Sequence, residues 1–171
     1  MRESIRSVTP AFNTQRMLKE YTERLYITAA KSHENFSCDG CASAAQLSQW
    51  KAQMRKDWPQ VRISDVQVGN KDRQNILVGE SLQISTRVHL GAVDPKHVRV
   101  EAYHGEVDNG DIRNPTATVL NQSSEVDGNG NYIYQGSVPA SESGTYGFSV
   151  RVVPTHPCLM QVHELRLITW S

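Results

Sequence analysis

The 171-residue chain reads as mainly β, an antiparallel β-sandwich preceded by an α-helical hairpin, and three features predict this. Gly40 is the only glycine before residue 60, while the other ten of 11 come after it. Apolar residues change from helical spacing to alternation at Val61. Seven short alternating runs then succeed one another, with turn-forming residues about every ten positions, as a sandwich requires. The expected division is a helical segment over 1–59 and a sandwich domain over 60–171.

In the first segment, Ser4–Pro10 carries Ile5 and Val8 three apart and reads as the tail of a helix. Asn13 opens the next helix, because its side-chain oxygen can accept from the unpaired N–H groups of the first turn. Phe12 before it and Met17 five residues later are placed for a hydrophobic staple. Met17, Leu18, Tyr21 and Leu25 recur on one face and predict a helix over about 14–30. Arg16–Glu20, Lys19–Glu23 and Glu20–Arg24 place opposite charges four apart on its exposed side. Residues 31–43 are polar, include Cys38-Asp39-Gly40-Cys41, and are expected to form a loop. Leu47, Trp50 and Met54 mark the second helix. Trp58-Pro59 ends it, since proline disfavours helical backbone in the residue before it.

In the second segment, Val61 and Ile63 fall out of phase with Val66 and Val68, which predicts a bulged first strand. Ser81–Leu90 alternates, with Leu82, Ile84, Thr86, Val88 and Leu90 on one face. After an Asp94-Pro95 turn, Val98, Val100, Ala102 and His104 do the same. Asp127-Gly128-Asn129-Gly130 is a hairpin signal between strands at Thr116–Asn121 and Tyr132–Val138. Gly144–Pro154 carries Tyr146, Phe148, Val150 and Val152 on one face, and Val162–Trp170 is expected to be the closing strand. Ser143-Gly144-Thr145-Tyr146 at a strand start matches the tyrosine corner of immunoglobulin-like sandwiches.

Lys+Arg and Asp+Glu are 18 each, for a formal net charge of zero. That balance argues against nucleic-acid binding, which draws on a basic surplus. The zero is a sum of opposites: residues 1–60 hold nine basic and six acidic residues, the remainder nine and twelve. Hydrophobic residues make up 38%, which suits a folded domain. No apolar run reaches membrane-spanning length. Met1–Arg6 lacks the apolar core of a secretory signal, and Cys38, Cys41 and Cys158 are too few for a disulfide scaffold. A cytoplasmic location is expected.

Candidate chemistry is sparse. Cys38 and Cys41 have the spacing of a metal or redox pair, but only Cys158, His33 and the other histidines remain to complete a zinc set. Two reduced thiols in a solvated loop is the simpler reading. Histidines 33, 89, 97, 104, 156 and 163 are scattered, and His156 in Pro154-Thr155-His156-Pro157 reads as a turn or core residue rather than a base. Asp108 and Asp111 flank Asn109-Gly110, where turn chemistry explains them better than calcium. Tyr103, Tyr132, Tyr134 and Trp170 are the candidates for an aromatic sugar-binding platform. Tyr132 and Tyr134, two apart on one strand face, also fit cross-strand packing. No catalytic, cofactor-binding or metal-ligating residue is assigned.

Several stretches carry a resemblance. Ile5-Arg6-Ser7-Val8-Thr9-Pro10-Ala11-Phe12-Asn13-Thr14-Gln15-Arg16-Met17-Leu18-Lys19-Glu20-Tyr21, continuing to Arg24-Leu25-Tyr26, resembles a segment of the bacterial and archaeal α-glucan phosphorylases. These are the short-type relatives of glycogen and starch phosphorylase. Gln49-Trp50-Lys51, Asp57-Trp58-Pro59-Gln60-Val61 and the closing Val152–Pro157 and His163–Trp170 are similar to the succeeding stretches of that family. Thr28 stands where a proline is expected, and Arg166 where a glycine is usual.

The resemblance implies that this is the C-terminal part of an enzyme that transfers glucosyl units from α-1,4-glucan to phosphate. Such an enzyme uses pyridoxal phosphate on a lysine. Lysines 19, 31, 51, 56, 71 and 96 lack the Gly- and Ser/Thr-rich surroundings of that lysine, so no cofactor is expected in this chain. The implied partners are the parent's catalytic domains, met through the helical segment, and α-glucan; no nucleic acid or membrane is expected. The chain reads as a tail cut at an internal methionine or encoded by a truncated frame. Alone, its apolar helical face is expected to promote association. The alternative is a free-standing β-sandwich module that binds carbohydrate or protein.

Overall fold

A computed structural model describes residues 2–69, 77–127, 131–140 and 143–171. The chain divides into two compact units, Met1–Trp50 and Lys51–Ser171.

The first unit is helical. It contains α1 (Arg2–Ala11), α2 (Thr14–Tyr21), a π turn at Thr22–Tyr26, α3 (Ile27–Ser37), a 3-10 turn at Cys38–Cys41, and the start of α4 (Ala42–Asp57). Asn13 caps α2 as its residue type predicts: extended backbone at φ −113° lets Oδ1 accept from Arg16 N at 2.7 Å. Arg16–Glu20 and Lys19–Glu23 pair at 3.0 and 3.9 Å. Phe12 is 79% exposed and lies under the Arg16 guanidinium at 5.9 Å, in place of a staple to Met17.

The loop expected over 31–43 is a correction, because α3 continues to Ser37 and α4 begins at Ala42. Ala29, Ala30, Lys31 and Glu34 are strong helix formers, and an exposed helix needs no apolar periodicity to declare itself. The break comes only at Asp39, Gly40 and Cys41, whose φ values of 51°, 63° and 66° are left-handed. Among the described residues before Leu47, none is buried.

The second unit holds seven antiparallel strands: β1 (Arg62–Val68), β2 (Ser81–His89), β3 (Val98–Asp108), β4 (Asp111–Asp127), β5 (Asn131–Pro139), β6 (Tyr146–Pro154) and β7 (Thr169–Trp170). They hydrogen-bond in the order β1-β2-β5-β4-β3-β6-β7. The long β4 joins the two halves: its first part pairs with β3 and its last part with β5, with a slip between Gln122 and Val126. The end strands β1 and β7 approach within 8 Å, so the sheet curls nearly into a barrel.

The expected bulge in β1 lies between Ile63 and Asp65. Asn109 and Gly110 connect β3 to β4 with φ of 53° and 91°, the positive pair that a two-residue hairpin of the I′ kind needs. Asp108 and Asp111 face each other across it, so turn chemistry accounts for both. Residues 128–130 of the second hairpin signal lie outside the described residues; Asp127 and Asn131 pair on either side of them.

Alternation sets the core. Ile84 and Val88 of β2, Val100 and Ala102 of β3, Leu120 of β4, and Val150 and Val152 of β6 are all buried, as is Leu90 just past β2. Thr86 joins them because its hydroxyl donates to Asp65 O at 2.8 Å. Met54, Trp58 and Val61 are buried where α4 leads into β1.

Two strand boundaries need correcting. The strand expected at Thr116–Asn121 extends over Asp111–Asp127. The strand expected at Val162–Trp170 is formed only at Thr169–Trp170. The segment before it is instead folded by three turns: Leu159 N to His156 O at 3.0 Å, Glu164 N to Gln161 O at 3.2 Å, and Arg166 N to His163 O at 3.0 Å. Donors engaged in local turns are not offered to a neighbouring strand. Arg166 takes φ 57° there, a left-handed position natural to glycine.

Candidate functional site

Side chains alternate across a strand, so residues between core positions on β3 and β6 share the opposite face. Glu101 and Tyr103 of β3 stand there beside Arg151 and Ser149 of β6, with Glu101 opposite Arg151 and Tyr103 opposite Ser149. Pairing of Trp170 with Arg151 brings β7 into the same row.

The centre of this cluster is a fixed guanidinium. Arg151 Nε donates to Glu101 Oε2 at 2.7 Å, while Arg99 Nη2 reaches Oε1 at 2.6 Å. The Glu101 side chain is only 3% exposed, so both carboxylate oxygens meet cations in a dry setting. Buried charges persist when paired in this way. The Arg151 guanidinium carbon lies 4.9 Å from the Tyr103 ring centre and 5.5 Å from that of Trp170. Cation–π attraction therefore adds to the ion pair. The two rings meet edge to face, 5.4 Å apart at 82°.

Hydroxyls stand beside the rings. Ser149 Oγ and Ser171 Oγ are 3.1 Å apart, and Ser171 Oγ accepts from Val150 N at 3.1 Å. Trp170 remains 46% exposed. The result is a right-angled aromatic corner with a guanidinium behind it and two hydroxyls at its edge. Within this cluster no nucleophile is paired with a base.

Of the four aromatic candidates, Tyr103 and Trp170 are brought together and Tyr132 and Tyr134 are not part of the corner. Tyr134 is buried, and its hydroxyl finds no hydrogen-bond partner among the described residues. Burial, and secondarily Tyr132, pushes its pKa up to about 12. Arg151, Glu101, Ser149 and Ser171 escape a reading of the sequence, because strand register alone brings residues 50 apart into contact. A groove of about 320 Å³ on β1, β2 and β5 is lined by Gln67, Val68, Gly69, Gln83, Ile84, Ser85 and Gln135.

The remaining candidates are dispersed. Cys38, Cys41 and Cys158 are free and exposed. Among the described residues, no group of three or more His, Cys, Asp or Glu is arranged to hold a metal ion. His104 is a core residue whose Nε2 hydrogen-bonds Thr118 Oγ1 at 2.9 Å, and burial lowers its pKa. His156 accepts from Cys158 N at 3.1 Å within a turn. Its pKa is lowered by burial and then by His97.

Among the described residues, the lysines do not form a pyridoxal phosphate site. Lys19 pairs with Glu23 and Lys51 with Glu164. Lys31, Lys56 and Lys96 are exposed, and Lys71 lies outside the described residues. Among the described residues, no helix is long and apolar enough to cross a membrane.

Comparison with known proteins accounts for the whole chain. The glycogen phosphorylase C-terminal domain family matches residues 58–171. The chain is 29% identical to glycogen phosphorylase of Mycobacterium bovis over 170 residues, covering 99% of this chain and 20% of that protein. It is likewise 29% identical to maltodextrin phosphorylase of Thermococcus litoralis over 174 residues, covering 100% of this chain and 20% of the relative. It thus spans about one fifth of the length of the curated relatives it matches. No solved structure matches. With the family match extending over two thirds of its length, the chain belongs to the glycogen phosphorylase C-terminal domain family.

Proposed function

We propose that this chain is the C-terminal, non-catalytic region of a cytoplasmic α-glucan phosphorylase. In that enzyme, pyridoxal phosphate and the catalytic residues that move glucosyl units between α-1,4-glucan and phosphate belong to other domains. The observation that carries the reading is the alignment of the chain, end to end, with one fifth of two kinds of phosphorylase.

Residues 1–59 dock the region onto the catalytic domains, and 60–171 form the terminal domain. Met17, Leu18, Tyr21, Leu25, Tyr26 and Ile27 support the docking role: all are 45% or more exposed in the isolated chain, an apolar patch that calls for a partner. An immunoglobulin-like sandwich is the finer reading of the terminal domain. Its support is the strand order, since β1-β2-β5-β4 on one side and β3-β6-β7 on the other reproduce the two sheets of that fold, with β4 spanning both.

A second reading, a free-standing carbohydrate- or protein-binding module, is favoured by the aromatic corner. The DNA upstream of the Met1 codon separates the two. An open frame running into a Gly-rich, lysine-bearing segment is expected. A stop codon and ribosome-binding site immediately before Met1, with no phosphorylase catalytic region encoded elsewhere in the genome, would support the free-standing module.

A further inference from the structure

We propose that Cys38 and Cys41 form a dithiol that low-molecular-weight disulfides close reversibly, making the turn between α3 and α4 a site of thiol modification. This goes beyond the phosphorylase reading and does not rest on it.

Three observations carry it. The two cysteines are the ends of one four-residue turn, whose central residues Asp39 and Gly40 take φ,ψ of 51°,44° and 63°,33°. The ends of such a turn lie within about 7 Å of each other, and a disulfide spans about 4.4–6.8 Å between Cα atoms. Both thiols are also free and exposed, so a small disulfide reaches them without unfolding the chain. Finally, Asp39 and Cys41 hold left-handed backbone, at φ 51° and 66°, which is costly for residues other than glycine. No residue of the turn is buried, so packing does not offset that cost. Strained backbone without packing to hold it points to a functional constraint, and a bond across the turn supplies one.

The exchange takes two steps. The Cys41 thiolate attacks one sulfur of the small disulfide, forming a mixed disulfide and expelling one small thiolate. The Cys38 thiolate then attacks the Cys41 sulfur, forming the Cys38–Cys41 bond and expelling the second small thiolate. The two cysteines are oxidised, the small disulfide is reduced, and the two cysteine protons end on the departing thiolates. Cys38 reacts second because its Sγ donates to Glu34 O at 2.8 Å, a bond that holds its proton. An exposed disulfide is readily reduced, so the closure is reversible.

The test is incubation of the Cys158→Ser chain, which keeps only these two thiols, with oxidised glutathione, followed by acid quenching and mass measurement. The expected product is two hydrogens lighter than the starting chain, carries no glutathione, and regains the starting mass with dithiothreitol. Cys38→Ser in the same background stops at a stable glutathione adduct on Cys41. Closure of the mixed disulfide is about tenfold faster in the folded chain than in urea, because the turn already holds the two residues together.

Chains carrying two glutathiones, disulfide-linked dimers in place of the lighter monomer, or closure no faster than in urea each overturn the proposal.

Discussion

Glu101 and Arg151, fifty residues apart in sequence, form an ion pair at 2.7 Å with the carboxylate almost wholly removed from water. Arg99 takes the second oxygen, so one carboxylate pairs with two guanidinium groups and ties β3 to β6. Removing the charge leaves both cations underpaired. Glu101→Gln is expected to lower stability to urea by about 3 kcal/mol. A loss below about 0.5 kcal/mol would show that the pair behaves as a solvated surface bridge.

Tyr134 presents the opposite case. Its buried hydroxyl has no partner among the described residues, so Tyr134→Phe removes a desolvated polar group while keeping the ring. A gain of about 1 kcal/mol is expected in urea unfolding. The pH profile gives an independent check. The folded chain holds the phenolic proton to about pH 12, while an unfolded tyrosine releases it near 10. Stability carried by the neutral phenol is present below pH 10 and lost as pH rises towards 12. Tyr134→Phe should lose that part of the alkaline decline.

On the acid side, burial holds the His104 pKa below the ordinary 6.5. The unfolded chain therefore takes up a proton in a range where the folded chain does not. Stability is fully present above pH 6.5 and falls as pH drops below it, until the folded imidazole protonates as well. His156 acts in the same direction. His104→Gln should flatten the slope of stability just below pH 6.5. A second decline is expected below pH 4.5, where an unfolded Glu164 takes up a proton that the folded carboxylate, held low chiefly by its hydrogen bond from Lys51, does not.

Arg166 occupies a left-handed position at φ 57° in the last turn before β7. Glycine reaches that backbone freely, and for other residues it costs about 1–2 kcal/mol. Arg166→Gly is expected to raise stability by about 0.5–1 kcal/mol, after allowing for glycine's greater freedom when unfolded. A thermal melt that falls rather than rises would contradict this.

These residues also show how far the sequence is legible. Alternation of Leu82, Ile84, Thr86 and Val88, and of Val98, Val100 and Ala102, exposes strand, face and core together, because period two has one physical meaning. Asn13 announces its helix by capping chemistry. The helix through Lys31 and Glu34 is illegible, since an exposed helix carries no apolar stripe. The Val162–Ile168 run misleads because local turns capture its backbone donors, which composition does not reveal. At the candidate site, Tyr103 and Trp170 stand out as aromatic residues. Their alliance through Arg151 and Glu101 depends on register between distant strands, which no local pattern encodes.

Docking of this chain onto a phosphorylase through its helical segment is open to a direct test. That test is sedimentation of the purified chain with the catalytic region of a phosphorylase from the same source, truncated before the segment that aligns with this chain. A one-to-one complex is expected, one that Met17→Glu with Leu25→Glu abolishes while the β domain stays folded. No complex at micromolar concentrations, or one indifferent to those two substitutions, would contradict it.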